Sequence, residues 1–334
     1  MNNNLLGTNG QTRIEFLIMF GYLKKSESNG VIKLDSSTFA LDKELIRLYY
    51  NEVSPNYDKV ITSFKKKYIN TESRVEKNDS LEEQQGIREV YNYIQLYDIS
   101  NTFNPLIESL QIHKRLWKFR DAKFEDETEN ELRKNAEEKL KLAKETKNLK
   151  LFYEAQNELR DLSNMKEKVK IGGQLRSFSD EVTVQSMNFV VPSALEATKF
   201  INSLCSKEKL DEFNLMLNGD LINYINYCVK LTTDLIKDQP FNEGNKRTFR
   251  SLLNLMFKLR NIPPVYINKN ERDIYKKALF EGIIDNNYEN IIGFYYHKIC
   301  DSIYELDVKP FYDILYKNEK SNKIRKLIEP KKMD

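Results

Sequence analysis

Apolar residues recur at helical spacing along most of the chain. After residue 80, Ile87, Val90, Tyr91, Ile94 and Leu96 recur at the spacing of an amphipathic helix. Comparable patterns predict helices over residues 14–23, 41–53, 57–68, 105–117, 194–204, 221–236, 249–261, 272–283 and 289–306. The chain is therefore predicted to be mostly helical.

Two segments carry strand signals. Residues 31–34, VIKL, are a short segment that is a possible strand. Residues 182–192 place partly alternating β-branched residues around a polar centre, which predicts a β-hairpin. Glycine and proline are scarce, at 11 and 8 of 334 residues, which also favours helix. The predicted fold is all-α with one small β-hairpin.

Residues 119–170 differ from the rest of the chain because they are dense in Lys and Glu and contain neither Gly nor Pro. We predict a protruding helical hairpin that is broken near 146–150, with one long solvated helix as the alternative. In both cases the charge run is interpreted as a solvated face. The apolar stripes of the two halves are Leu132, Ala136, Leu140 and Ala143, then Phe152, Ala155, Leu159, Leu162 and Val169.

The composition limits the partners and the compartment. A net charge of +3 gives no reason to expect nucleic-acid binding. Three scattered cysteines suit neither a zinc site nor a disulfide framework, which indicates a reducing compartment. The apolar run 14–23 is too short to span a bilayer and lacks the signature of a signal peptide. We expect no membrane contact, and a protein that is cytoplasmic or delivered from the cytoplasm into a host cell; the oligomeric state stays open.

One polar stretch, DQPFNEGNKRTFR over residues 238–250, separates two apolar helical patterns. Gly244 tolerates positive φ, so a loop there can turn its amides outward. If Thr248 and Phe249 open the next helix, those amides lie near a helix N-terminus, which favours phosphate.

The side chains of this stretch suit the same ligand. Arg247 and Arg250 are three residues apart and would clasp a polyphosphate from one side of the helix. Lys246 adds a positive charge, and Glu243 is a suitable ligand for the Mg²⁺ of a polyphosphate. Phe241 is expected to be buried and to fix the loop. The alternative is an ordinary connection between helices that carries solvated charges.

The stretch resembles the signature of the Fic/Doc (Fido) family, H-x-F-x-[D/E]-G-N-[G/K]-R-x-x-R. Residues 239–250 read QPFNEGNKRTFR, which departs at the first specified position, and Lys246 resembles the Doc-like variant. GGQLRSFSDEVTVQSMNFVVP is similar to the family's flap hairpin, NIPPVYINKNERDIYKKAL to the segment after the motif helix, and PLIESLQIHKRL to the helix before the flap. The predicted domains are a helical region over 1–70, a Fic domain over 71–118 and 171–305, the inserted hairpin over 119–170, and a tail over 306–334.

The resemblance implies transfer of AMP from ATP to a hydroxyl of a target protein. Glu243 would hold Mg²⁺. Gly244, Asn245, Lys246 and Arg247 would line the site of the α- and β-phosphates, Arg250 would meet the γ-phosphate, and Tyr275 would lie near the base. The flap would dock an unknown target protein by strand addition through Val182, Thr183, Val184, Asn188 and Phe189.

Gln239 occupies the position of the family's catalytic histidine, whose pKa near neutrality suits it to accept the proton of the attacking hydroxyl. A glutamine amide cannot accept that proton. Neither His113 nor His297 is expected to replace it, since both are interpreted as satisfied or exposed histidines. Asp238 is adjacent, but its side chain is expected to point elsewhere.

Three explanations of Gln239 remain open: a degenerate member that still binds nucleotide or a partner, a different transfer that does not need this base, or an introduced His→Gln substitution. The leading hypothesis is an adenylyltransferase-type protein with reduced or altered activity. The alternatives are a non-catalytic nucleotide- or partner-binding protein and the transfer of another phosphate-linked group.

The segment TESRVEKN over residues 71–78 resembles the inhibitory helix of many Fic proteins, [S/T]-x-x-x-E-[G/N]. Glu72 and Lys77 depart from that pattern. The hypothesis is that Glu76 pairs with Arg250 and blocks the γ-phosphate position.

Overall fold

The computed structural model describes residues 24–25, 32–33, 39–52, 81–123, 129–146, 148–169, 172–177, 190–267 and 271–306. Two short strands, β1 (Lys24–Lys25) and β2 (Ile32–Lys33), pair antiparallel. The helices of the described part are α1 (Phe39–Glu52), α2 (Leu81–Leu96), α3 (Pro105–Lys123), α4 (Glu129–Glu145), α5 (Leu149–Val169), α6 (Ala194–Ser203), α7 (Lys207–Asn218), α8 (Leu221–Asp238), α9 (Asn245–Leu259), α10 (Arg272–Asp285) and α11 (Glu289–Leu306).

The prediction of an all-α fold is confirmed. The strand expected at 31–34 is β2, and the helix expected at 41–53 is α1. The helices predicted at 14–23 and 57–68, and the flap over 182–189, lie outside the described residues. The sequence analysis missed helix α7. This helix is capped by Ser206, whose side chain accepts a hydrogen bond from the Lys209 N–H. Leu96 was assigned to the apolar face of α2, but it is exposed at the end of that helix.

Helix α9 is the centre of the core. Every residue from 247 to 258 is buried, because α9 lies among α2, α3 and α8. Its polar side chains are used to fix neighbouring backbone. Asn254 exchanges two hydrogen bonds with the main chain of Val265, and the Lys258 ammonium donates to three carbonyls at the end of α2, at 2.6 to 2.9 Å. These bonds hold the middle and the C-terminal end of α9 against α2 and against the segment that follows α9.

Helix α8 connects α9 to the C-terminal helices α10 and α11. Helix α8 contacts α9, α10 and α11, and α11 also contacts α1. The ring of Phe39 in α1 lies so close to Gly293 in α11 that a Cβ atom there would be 2.1 Å from it. The N-terminal helix α1 is therefore closely packed against the core.

Helices α4 and α5 contact each other along a seam of small buried residues, Ala136, Ala143 and Ala155. Helix α4 ends at Glu145 and α5 begins at Leu149, so the predicted pair of helices is confirmed and the alternative of one long helix is wrong. At the base of the pair, the Gly172 N–H donates to Asp121 Oδ2 at 3.0 Å. No helix of the described segments is long and apolar enough to cross a bilayer.

Candidate functional site

The loop between α8 and α9 is closed by one side chain. Asn245 Oδ1 accepts from the Phe241 N–H at 2.9 Å, and its Nδ2 donates to Phe241 O at 2.7 Å. Helix α9 begins at Asn245, with Gly244 as its N-cap at φ 74°. The expectation that Thr248 and Phe249 open this helix is therefore wrong by three residues, because the folded-back Asn245 side chain and the left-handed Gly244 let the helix start earlier.

Gln239 is bound within the loop. It is 9% exposed and has a left-handed backbone, with φ 47° and ψ 56°. Its Nε2 donates to Ile236 O, and its Oε1 accepts from Asn245 Nδ2 at 3.0 Å. Positive φ is uncommon for a residue other than glycine, so these bonds help to hold an unfavourable backbone conformation in place.

His113 of α3 lies directly beneath this loop. Its ring stacks on Phe241 with centroids 3.9 Å apart, and Phe241 is completely buried, as predicted. The Gly173 N–H donates to His113 Nδ1 at 2.9 Å, so the proton of a neutral ring is on Nε2, which donates to Glu243 O at 2.9 Å. The Trp117 indole nitrogen lies 3.0 Å from the same Nε2, to which its N–H can donate only in the tautomer that leaves Nε2 unprotonated.

The surroundings keep His113 neutral. Burial lowers the pKa of His113 to about 4, and the nearby charge of Arg247 acts in the same direction, although the bond to the Glu243 carbonyl opposes them. The interpretation as a satisfied histidine is correct. His113 supports the loop main chain and is not placed as a proton acceptor.

Trp117 forms the floor under Gly244. A Cβ atom at position 244 would lie 2.9 Å from the indole Nε1, so only glycine fits this close approach at φ 74°. The same indole carries two guanidinium groups, with Arg247 at 4.9 Å and Arg120 at 4.7 Å from the ring. Trp117 and Arg120 were not among the residues that the sequence singled out.

Glu83, in the first turn of α2, forms a buried ion pair with Arg247 at 3.4 Å. The hypothesis of an inhibitory pair named Glu76 and Arg250, and Glu76 lies outside the described residues. The pair between Glu83 and Arg247 was missed. Its signal in the sequence was a glutamate four residues before Ile87, on the apolar face of the predicted helix.

Arg250 lies one turn further along α9 and is 4% exposed. Its guanidinium is 5.8 Å from the ring of Tyr275. Tyr275 is buried and packs against Phe294 and Tyr295. Arg247 and Arg250 thus have different aromatic neighbours, and Lys246, immediately before Arg247, is half-buried.

Among the motif residues to which we assign a ligand role, Glu243 is the most exposed. Its carboxylate forms an ion pair with Arg120 at 2.5 Å, and the two side chains are 53% and 35% exposed. Mg²⁺ is commonly held by one or two carboxylates together with substrate phosphates. A single carboxylate beside a helix N-terminus fits that donor set. No group of three or more His, Cys, Asp or Glu side chains in the described ranges is arranged to hold a metal ion.

Arg176 connects the segment before the flap to the loop. Its backbone N–H donates to Pro240 O at 2.9 Å. Its guanidinium Nη2 donates to Asp238 O at 3.2 Å and to Pro192 O, beyond the flap. The carbonyls on both sides of Gln239 are therefore bound by one residue.

The charged neighbours of Asp238 are Asp234, Lys237, Arg176 and Glu196, and they do not include the motif arginines. Burial raises the pKa of Asp238 to about 6, and the charge of Asp234 raises it further, whereas Lys237 and Arg176 oppose the shift. Asp238 is thus half-buried among residues of α8 and the base of the flap.

The predicted site residues divide into two groups. The loop and the first two turns of α9 bring together Gln239, Glu243, Gly244, Asn245, Lys246, Arg247 and Arg250, with Tyr275 beside Arg250. Val182, Thr183, Val184, Asn188 and Phe189 lie outside the described residues. Their roles, like those of the phosphate ligands, stay predictions.

Comparisons with known proteins agree with this architecture. No protein-family model and no curated protein matches the sequence. Among solved structures, Fic-1 of C. elegans (residues 134 to 508) is similar to this chain with a TM-score of 0.51 at 13% identity, over 80% of this chain and 73% of that chain. A variant of the same C. elegans fragment and a Fic domain-containing signaling protein from Bacteroides thetaiotaomicron both have a TM-score of 0.48, at 13% and 14% identity. Both cover 82% of this chain, over 73% and 97% of their own length.

This architecture defines an all-α protein with a helix N-terminus at its polar site. The chain has the Fic (Fido) fold.

Proposed function

We propose that this protein binds ATP with Mg²⁺ at the N-terminus of α9 and is an adenylyltransferase-type protein whose AMP transfer is slowed by Gln239. The observation that carries this proposal is the loop closed by Asn245, which places Gly244 and the α9 N-terminus between Glu243 and Arg247. The first amides of a helix lack partners within the helix and favour an anion.

The charges beside this N-terminus suit a polyphosphate. Arg247 stacks on Trp117, which orients its guanidinium, and Lys246 adds a second cation on the same turn. Planar guanidinium groups match phosphate geometry better than ammonium groups do. We assign the α- and β-phosphates to Gly244, Asn245, Lys246 and Arg247, and the γ-phosphate to Arg250.

Glu243 would hold the Mg²⁺ that neutralises charge on the phosphates when the nucleotide is bound. In the transfer, the oxygen of a target hydroxyl forms a bond to the α-phosphorus. The bond from that phosphorus to the bridging oxygen breaks, and pyrophosphate leaves. The hydroxyl proton needs an acceptor, and the residue in the acceptor position is Gln239.

Gln239 cannot supply this step. Its amide has no basic lone pair, and both ends of the amide bind Ile236 O and Asn245. His113, with a pKa of about 4, is a weak base and is held by Gly173 and Glu243. General-base catalysis contributes about 10²–10⁴-fold, whereas positioning and charge stabilisation supply most of phosphoryl-type transfer. We therefore expect nucleotide binding with slow transfer.

A second candidate is a non-catalytic binding protein. It is favoured by the buried pair of Glu83 and Arg247, because Glu83 occupies a guanidinium that a phosphate would need. Calorimetry with ATP and Mg²⁺ separates the candidates. If neither the natural chain nor Glu83→Gln binds ATP, the site is vestigial and the second candidate is correct.

The test of the leading proposal compares incorporation of label from α-labelled ATP into proteins of a cell lysate. We expect Gln239→His to raise labelling by about 10²–10⁴-fold, because it restores a base at the acceptor position. The matched controls are Gln239→Asn, which restores no base, and Gln239→His combined with Glu243→Ala, which lacks the metal ligand. Equal labelling by the chain with Gln239 and by Gln239→His would show that position 239 does not act as the base.

A further inference from the structure

The ion pair between Arg120 and Glu243 joins two parts of the chain that are distant in sequence. Arg120 lies near the end of α3, at the start of the predicted insertion and ahead of its helices α4 and α5, and Glu243 lies in the motif loop. The adjacent residue Asp121 binds Gly172 on the other side of the insertion. The base of the insertion therefore contacts the carboxylate that we assign to Mg²⁺.

The position of Arg120 is fixed independently of this carboxylate. Its guanidinium stacks on Trp117, the indole that also carries Arg247 and lies beneath Gly244. The pair itself is about half exposed. Exposed ion pairs are weak, so a divalent cation can displace Arg120 from Glu243. Released from the pair, Arg120 would still be held over Trp117 at the edge of the site.

We propose that Arg120 is a built-in counter-ion for Glu243, which neutralises the carboxylate when no metal is present and is displaced by Mg²⁺ when the metal–nucleotide binds. This inference rests on the proposed nucleotide site. Its consequence is that the protein also binds ATP without a divalent cation, because Arg120 removes the repulsion between Glu243 and the phosphates. Arg120 thereby couples the proposed metal ligand Glu243 to the base of the inserted hairpin.

The experiment measures the Kd for ATP in EDTA and in Mg²⁺ by calorimetry. Trp117 is the only tryptophan of the chain, so its fluorescence gives a second readout at the site. For Arg120→Ala we expect the Kd in EDTA to rise by about tenfold or more, because an uncompensated carboxylate then faces the phosphates, while the Kd in Mg²⁺ changes little. Arg120→Lys should retain most of the EDTA binding.

A double variant identifies the cause. Adding Glu243→Ala to Arg120→Ala should restore ATP binding in EDTA, because no carboxylate is left to neutralise. The control is Arg115→Ala on the same helix, whose guanidinium binds Gln111 and stacks on Tyr93 outside the site. It should change neither Kd.

The outcomes distinguish this inference from the proposed function. If the natural chain binds ATP and Arg120→Ala leaves the ratio of the two Kd values unchanged, the counter-ion role is overturned and the nucleotide site stands. Equal weakening in EDTA and Mg²⁺ would make Arg120 a direct phosphate ligand and would also overturn it. If the natural chain binds no ATP in either condition, both proposals fail.

Discussion

The two histidines of the chain lie in buried regions of opposite electrostatic character. His113, under the motif loop, binds the main chain of Gly173 and Glu243, and burial lowers its pKa to about 4. His297, in α11, has Nδ1 at 3.8 Å from Asp42 Oδ2 of α1. Burial opposes a charge on His297 as well, but Asp42 and Asp301 outweigh it and raise the pKa of His297.

The difference separates two ways of fixing a helix. Around His297, ionisable groups join the helices. His297 faces Asp42 of α1, and Lys298 binds Glu271 at the start of α10 at 2.9 Å and Asp301 of α11 at 3.0 Å. Around His113, neutral hydrogen bonds and stacked rings hold the loop. Because His113 is neutral, it supports the motif loop from below without adding a charge that would compete with Arg247 and Arg120 for ligands.

The two regions also respond to pH with opposite sign. His113 binds its proton more weakly in the folded state than in the unfolded state, so its contribution to stability falls as pH decreases. His297 and Asp42 both have raised pKa values, so the folded state binds protons more readily and their contribution falls as pH increases. Three substitutions or measurements test this comparison.

The largest expected effect is the loss of the ring that stacks on His113. Phe241→Ala should lower the free energy of unfolding by about 3–5 kcal/mol, because it leaves a cavity between His113 and Phe249. Chemical denaturation followed by circular dichroism measures it. The matched control is Tyr153→Ala in the exposed hairpin, where the ring is 62% exposed and the cost should stay within about 0.5 kcal/mol. Equal costs for both variants would contradict the role of Phe241 as the support of the loop.

The burial of Phe241 could be predicted from the sequence because it is a single aromatic residue in a short polar stretch between two helices. Helical periodicity likewise located most helices of the core, since it is a local property of the chain. The start of α9 was misplaced, because the cap depends on Asn245 folding back onto Phe241 and on the left-handed backbone of Gly244, neither of which changes the periodicity.

The floor of the site could not be predicted, because it depends on contacts between distant segments. Trp117 and Arg120 lie on a helix more than a hundred residues before the loop, and Glu83 lies earlier still. Periodicity tells which face of a helix is buried, but it does not tell which other helix covers that face. The motif residues follow from the sequence, whereas the groups that hold and neutralise them follow only from packing.

The second prediction concerns the ionised region. Asp42→Asn removes one of the two acidic neighbours of His297, so only Asp301 then opposes the effect of burial and the pKa of His297 should fall. We expect the free energy of unfolding near pH 6 to fall by about 3 kcal/mol, since one member of a buried pair is lost. Histidine NMR titration and denaturation measure the two effects. The control is Asp285→Asn at the exposed end of α10, which should change neither quantity. An unchanged pKa of His297 would mean that Asp42 does not hold it charged.

The third prediction is the response of the His113 region to acid. Between its unfolded pKa of 6.5 and its folded pKa of about 4, the unfolded chain binds the proton and the folded chain does not. Its contribution is therefore present above pH 6.5 and is lost as pH falls towards 4. A protonated Nδ1 would also face the Gly173 N–H, donor against donor. Between about pH 7 and pH 5 the natural chain should lose about 2 kcal/mol relative to His113→Gln, which cannot titrate.

Denaturation of both proteins at each pH measures this difference, and the groups common to both cancel in it. In the NMR titration of the chain, the His113 ring should stay neutral above pH 5, whereas the His297 ring should titrate at a pH above the ordinary histidine pKa. This difference assigns the two signals without further variants. If the stability difference between the natural chain and His113→Gln is the same at both pH values, His113 titrates as an exposed histidine does. The claim that a neutral His113 supports the loop would then be wrong, and so would the contrast between the regions around His113 and His297.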